Sequence, residues 1–133
     1  MSKAKPTEQS AFFTADLSNE GVKIPMMLPD GTKSEHWMRV RGTDSEHFKI
    51  GSTKINQRFL KDAGKAKTDI EKFRQRENKN LAFVSLLISE WSFPEKCNEV
   101  EKVKFLRKAP AIVEAIDLFG SDRSNFFAKP SQV

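Results

Sequence analysis

At 133 residues the chain has the length of one domain able to bury a core of its own. Charged residues make up 31% against 38% hydrophobic, which excludes a disordered polyelectrolyte, and no apolar run approaches the roughly 18–20 residues of a membrane helix. A net charge of +5 keeps an anionic partner, nucleic acid or acidic protein, in play until the basic residues are placed.

Residues 1–10, MSKAKPTEQS, are polar and predict a flexible arm; a positive start with no apolar stretch behind it is not a secretory signal. Ala11-Phe12-Phe13 is expected to pack on the core, as a short strand or an anchor. Val22 to Leu28 reads as a strand, with Pro25 placing it at a sheet edge because proline donates no ladder hydrogen bond. Pro29-Asp30-Gly31-Thr32 is a turn, with proline preset for it and glycine free to take positive φ. Ser34 to Arg41 returns as a second strand, so a β-hairpin spans about 22–41. Thr43 with Glu46 three residues on has the pattern of a capping box opening a helix. Phe48, Ile55 and Phe59 give that helix its apolar face, Gly51 weakens its first part and Gly64 breaks it. From Lys61 to Lys79 seven lysines and arginines are interleaved with Asp62, Asp69, Glu71 and Glu77. Mixed signs read as a solvated helix face, which disfavours nucleic acid and leaves an acidic protein partner as an equal use of the charge. Ile70 and Phe73 can run in register with Leu81 and Val84 in one helix from about Thr68 to Trp91, or a loop at Asn78-Lys79-Asn80 divides it.

Leu81 to Phe127 is the densest apolar stretch and reads as helical throughout. Leu81, Val84, Leu87, Ile88 and Trp91 recur at three and four. Ser92-Phe93-Pro94 ends that stripe. Val100, Val103 and Leu106 make a second. Pro110 suits the first turn of a third helix, Ile112, Val113, Ile116 and Phe119 form its face, and Gly120 fits its C-terminal end. These stripes must pack on each other or on a partner. The fold class expected is α+β, mostly α: an N-terminal β-hairpin followed by a bundle of four or five helices over about 44–127, in a single domain of 11–127 with a polar tail at 128–133.

Chemistry is sparse. His36, His47 and the lone Cys97 lack the spacings of a zinc site or of a nucleophile pair. Carboxylates sit among lysines, where helix-face pairing accounts for them, and Gly64-Lys65 lacks the rest of a phosphate loop. No catalytic, cofactor-binding or metal-binding residue is expected, and a non-enzyme is the reading. A single cysteine excludes an internal disulfide and fits the cytoplasm. What remains is surface. Trp91, Phe93, Phe105, Phe119, Phe126 and Phe127 are more aromatic side chains than three short helices easily bury. Most belong to the core, and the remainder can form a groove for a helical segment of a partner. Met26, Met27, Met38 and Leu60 are candidates for the same surface.

The order "LISEW", a proline break, "FLRKAP", "AIVEAI" and "DRSNFF" resembles the C-terminal pattern of tail assembly chaperones of long-tailed bacteriophages. Trp91, Leu106, Pro110, Ile116, Asn125 and Phe126 occupy the matching positions, and the hairpin followed by "RGTDSEHF" matches the N-terminal half more loosely. The resemblance implies a non-enzymatic protein without cofactors that binds the tape-measure protein and recruits tail-tube subunits. It also implies action in the host cytoplasm, absence from the mature virion, and a longer frameshifted form of the chain as a partner, with self-association compatible. A virion structural protein, such as a head–tail connector or minor tail component, is the alternative; a small basic nucleic-acid-binding protein is the third reading.

Overall fold

The computed structural model describes residues 7–127; the first six residues of the expected arm and the whole of the 128–133 tail lie outside them. Gln9–Phe12 forms a single 3-10 turn, and Phe12 and Phe13 are exposed. The expectation of a strand or core anchor at Ala11–Phe13 is therefore corrected: no strand pairs there and both rings face outward. A short helix that the sequence did not announce follows, α1 (Ala15–Glu20).

The hairpin forms where the turn chemistry put it. β1 (Val22–Met27) and β2 (Lys33–Val40) pair antiparallel, with Ile24 opposite Met38 and Val22 opposite Val40. Gly31 has φ +89°, and Asp30 Oδ1 accepts from Thr32 N–H at 2.9 Å to fix the turn. Pro25 lies on the sheet edge, as its missing donor requires.

The largest correction concerns residues 87–91. The helix from Thr68 is a single one, α3 (Asp69–Leu86), with no loop at 78–80, but it stops before "ISEW". Ile88–Trp91 is instead β3, antiparallel to β2, so the sheet order is β1-β2-β3. Met38 faces Trp91 and Val40 faces Ile88, which leaves Ser89 as the extra residue of a bulge. That bulge puts Ile88 and Trp91 on the same buried face although three residues separate them. A strand without a bulge would have turned one of them outward, and the spacing of three is what mimicked a helix.

α2 (Glu46–Asp62) is capped by Ser45, whose hydroxyl accepts from Phe48 N–H at 3.2 Å, and not by Thr43. The backbone before it is tied elsewhere: Gly42 N–H donates to Ser18 O and Thr43 N–H to Gly120 O, which fastens α1 and the last helix to the exit of the hairpin. On α3 the N-cap is Thr68, whose Oγ1 accepts from Glu71 N–H at 3.1 Å and donates to the Glu71 carboxylate at 2.9 Å, so Glu71 meets the hydroxyl and not the backbone N–H of a full capping box. α4 (Glu99–Lys108) and α5 (Pro110–Ser121) take the bounds that Pro110 implied. Gly120 is not a left-handed cap, since among the described residues only Gly21 and Gly31 have positive φ. It gives room instead: a Cβ there would stand 2.9 Å from Leu87 Cδ1 and 3.1 Å from Arg41 O.

The core joins the inner face of the sheet (Met38, Val40, Ile88, Trp91) to Leu81 and Val84 of α3, Leu106 of α4 and Ile116 of α5. Lys102 of α4 is buried, and its ammonium donates to Ile88 O at 2.9 Å, covering the outer edge of β3. The class is α+β and mostly helical, with four of the five α-helices among the described residues lying after the hairpin.

Candidate functional site: an aromatic groove

Three of the six aromatic residues expected at a partner surface come together. Trp91 closes β3, Phe93 sits in the loop after it and Phe105 lies on α4. Ring centroids are 5.2 Å apart for Trp91–Phe93, 5.9 Å for Trp91–Phe105 and 5.1 Å for Phe93–Phe105. The first two pairs meet edge to face, the arrangement that aromatic quadrupoles favour. Trp91 is largely buried and its indole N–H donates to Glu95 O at 2.7 Å, which folds the loop back onto the end of β3. Phe93 also meets the His36 ring at 4.4 Å.

Two hollows flank the Phe93–Phe105 ridge. One, about 370 Å³, lies between Trp91 and α4 and carries Glu95, Glu101 and Lys104 at its rim. The other, about 470 Å³, is walled by Met26, Met27 and Leu28 from the end of β1, by His36, and by Ile112 of α5. Phe93, Phe105, Lys108 and Ala109 belong to both, so they are two halves of one groove. Its floor is apolar and its charges, of both signs, stand at the rim.

Ser92 sets the position of Phe93. Its N–H donates to Trp37 O at 3.1 Å, its Oγ accepts from Trp37 N–H at 2.9 Å, and the same Oγ lies 2.9 Å from His36 Nδ1. The loop is thus stitched to β2 at the point where the groove needs its ridge.

Phe119 and Phe126 are elsewhere. They stack edge to face at 5.6 Å, Asn125 Nδ2 donates to Phe119 O at 3.0 Å, and Phe126 is buried against Gly42. This pair closes the core over the end of α5. Phe127 is exposed and lines neither hollow. Of the further candidates, Met26 and Met27 line the groove, Met38 is in the core, and Leu60 stands on α2 outside it. His36, Leu28, Ala109 and Ile112 are groove residues that the sequence reading did not assign to a partner surface: it gave Ile112 to the apolar face of α5 and His36 no ligand role. The alternation along β2 was the one available signal, for His36; the others depend on how α5 crosses the hairpin end.

The groups with chemical potential are quiet. Burial pushes the Cys97 thiol up, opposed by the Lys102 and Arg41 charges, so it is not an activated thiolate. Burial pushes the His47 imidazole down, and the Arg41 and Lys102 charges push it further. Among the described residues no three His, Cys, Asp or Glu side chains are grouped to hold a metal ion, and no helix is long and apolar enough to cross a membrane. Comparison of the chain with known protein families, with curated proteins and with solved structures gives no match.

Proposed function

We propose that the chain is a tail assembly chaperone of long-tailed bacteriophages, which holds the tape-measure protein through the Trp91–Phe93–Phe105 groove. The observation that carries this reading is the groove itself, an apolar trough with an aromatic ridge and a rim of mixed charge. Such a trough suits the apolar stripe of an amphipathic helix, with anchors at i, i+4 and i+7 falling on either side of the ridge. Met26 and Met27 adapt to different anchors along a long partner, because the unbranched thioether repacks at little cost. The resemblance of residues 81–127 to these chaperones supports the identity of the partner, although "LISEW" reaches its tryptophan along a strand and not a helix. No chemistry is asked of the walls; the function is transient cover of helical segments that would otherwise aggregate. Recruitment of tail-tube subunits, cooperation with a longer frameshifted form, action in the host cytoplasm and absence from the finished virion belong to the same proposal.

Co-expression with the phage's own tape-measure protein tests it. The wild type is expected to keep that partner soluble and to co-purify with it, and Phe93→Asp is expected to lose both while remaining folded by circular dichroism. No rescue by the wild type, with the chain present in purified virions, overturns the chaperone reading and makes this a structural component of the particle.

A further inference from the structure

The α2–α3 hairpin extends beyond the body of the domain. The buried residues of α3 lie between Leu81 and Ser85, and α2 buries only Ile55. α4 stops beside the middle of α3, where Arg107 donates to Glu77 Oε1 at 2.8 Å and to Asn78 Oδ1 at 2.7 Å. Past that point α2 and α3 pack on each other, and Gln75 Nε2 donates to Asp62 O at 2.7 Å to close the pair.

This arm holds the charge of the protein. Residues 54–79 carry nine lysines and arginines against four carboxylates, an excess equal to the +5 of the whole chain. Asp62 pairs with Lys65 at 2.9 Å within the arm, Glu77 with Arg107 of α4 at 2.8 Å, and Arg58 with Glu99 of α4 at 3.2 Å. Lys72, Arg76 and Lys79 recur at four and three along α3, so they share one side of it. Among the described residues none of the three forms an ion pair.

The same side is apolar between its charges. Phe59 and Leu60 of α2 and Arg76 and Lys79 of α3 line a hollow of about 370 Å³. Leu60 is 77% exposed although it lines that hollow, which is unusual for a large apolar residue.

We propose that this face of the arm docks an acidic amphipathic helix of a partner protein. Apolar side chains of the partner cover Phe59 and Leu60, and its flanking glutamates or aspartates face Lys72, Arg76 and Lys79. A nucleic acid would satisfy the cations but would leave Leu60 and Phe59 against a polyanion, whereas an acidic amphipathic helix uses both features. The concentrated charge also speeds the encounter with such a partner. The arm shares no residue with the Phe93–Phe105 groove, so both can be filled at once and by different segments.

The test is fluorescence anisotropy with a synthetic helical peptide bearing leucines along one face and glutamates beside them. A counterpart with lysines replacing the glutamates and a short DNA duplex serve as comparison probes. The full chain is expected to bind the glutamate peptide and not the lysine counterpart. Lys72→Glu with Arg76→Glu, both at exposed positions, is expected to weaken binding at least about tenfold. Leu60→Ala is expected to weaken it as well, and Phe93→Asp in the other groove to leave it unchanged. The proposal is overturned if the glutamate peptide does not bind, or if it binds equally well to the arm variants with their helical circular dichroism intact. Tighter binding of the DNA duplex, lost in the same arm variants, overturns it in favour of a nucleic-acid surface.

Discussion

Ser92 shows how much a single hydroxyl can organise. Its Oγ serves the Trp37 amide and the His36 imidazole at once, both at 2.9 Å, and so couples the second strand to the loop that presents Phe93. Ser92→Ala removes one partner from two half-buried groups and is expected to cost about 1–2 kcal/mol in chemical denaturation. Because the ridge position depends on the same bonds, the variant is also expected to weaken partner capture by the groove. Unchanged stability would show that water replaces the hydroxyl. Lys102 poses the opposite case, a charge kept inside. Burial pushes its ammonium below the ordinary lysine value, the Arg41 guanidinium adds to that, and Cys97 and Glu99 oppose it. Between the lowered folded value and the ordinary one, the unfolded chain holds a proton that the folded chain has released. Stability contributed by this group therefore rises with pH across that window, and the cost of burying the charge is fully present below it. Urea midpoints of the wild type are expected to gain on those of Lys102→Met as the pH rises toward the ordinary lysine value of about 10.4. Parallel pH profiles for the two proteins would place the proton uptake elsewhere.

At the scale of elements, caps and turns decided what was legible and tertiary contacts decided what was not. The hairpin was readable because Pro29, Asp30 and Gly31 each have one good use, and α5 because Pro110 can only begin a helix. β3 was hidden: its bulge at Ser89 gives Ile88 and Trp91 a helical spacing, and no local signal separates that from a helix end. The cap of α2 shifted from Thr43 to Ser45 because Thr43 N–H is engaged by Gly120 O, a contact between residues far apart in sequence. In the groove, the aromatic roster was visible but its partition was not. Nothing local distinguishes Phe93 and Phe105, which form the ridge, from Phe119 and Phe126, which close the core. The cap on α3 makes a prediction at this scale. Thr68→Ala is expected to cost the arm about 1 kcal/mol. The loss should appear as faster amide exchange in the first turns of α3, with the global denaturation midpoint nearly unchanged. A full loss at the global midpoint would mean that the arm and the core unfold as one unit.

The whole molecule divides into a dense body and a projecting arm, and its two proposed surfaces fall one on each. In the body, the sheet, Leu81–Ile88, α4 and α5 share one core, so their amides can open only when that core opens. In the arm, residues 56–80 contribute no buried side chain; the pair is held by helix-to-helix contact and the Gln75–Asp62 bond, and is tied to α4 at its base by the Arg58–Glu99 and Arg107–Glu77 pairs. Excess positive charge within the arm works against its own compactness, since like charges repel across two packed helices. Local opening of the arm therefore needs much less free energy than global unfolding, although α3 runs unbroken from one region into the other. Hydrogen exchange followed by mass spectrometry is expected to divide α3, with residues 69–79 exchanging early and residues 81–86 exchanging with the sheet. An acidic amphipathic peptide bound to the arm should slow the early class alone, because it supplies the buried apolar contact and the counter-charge that the arm lacks. A tape-measure segment bound in the Phe93–Phe105 groove should leave that class untouched and protect the loop from Ser92 to Asn98. Uniform protection along the whole of α3 would contradict this division. It would mean that packing of α2 on α3 is enough to make the arm as stable as the body, and the exposed Leu60 would then need another explanation than a site kept open for a partner.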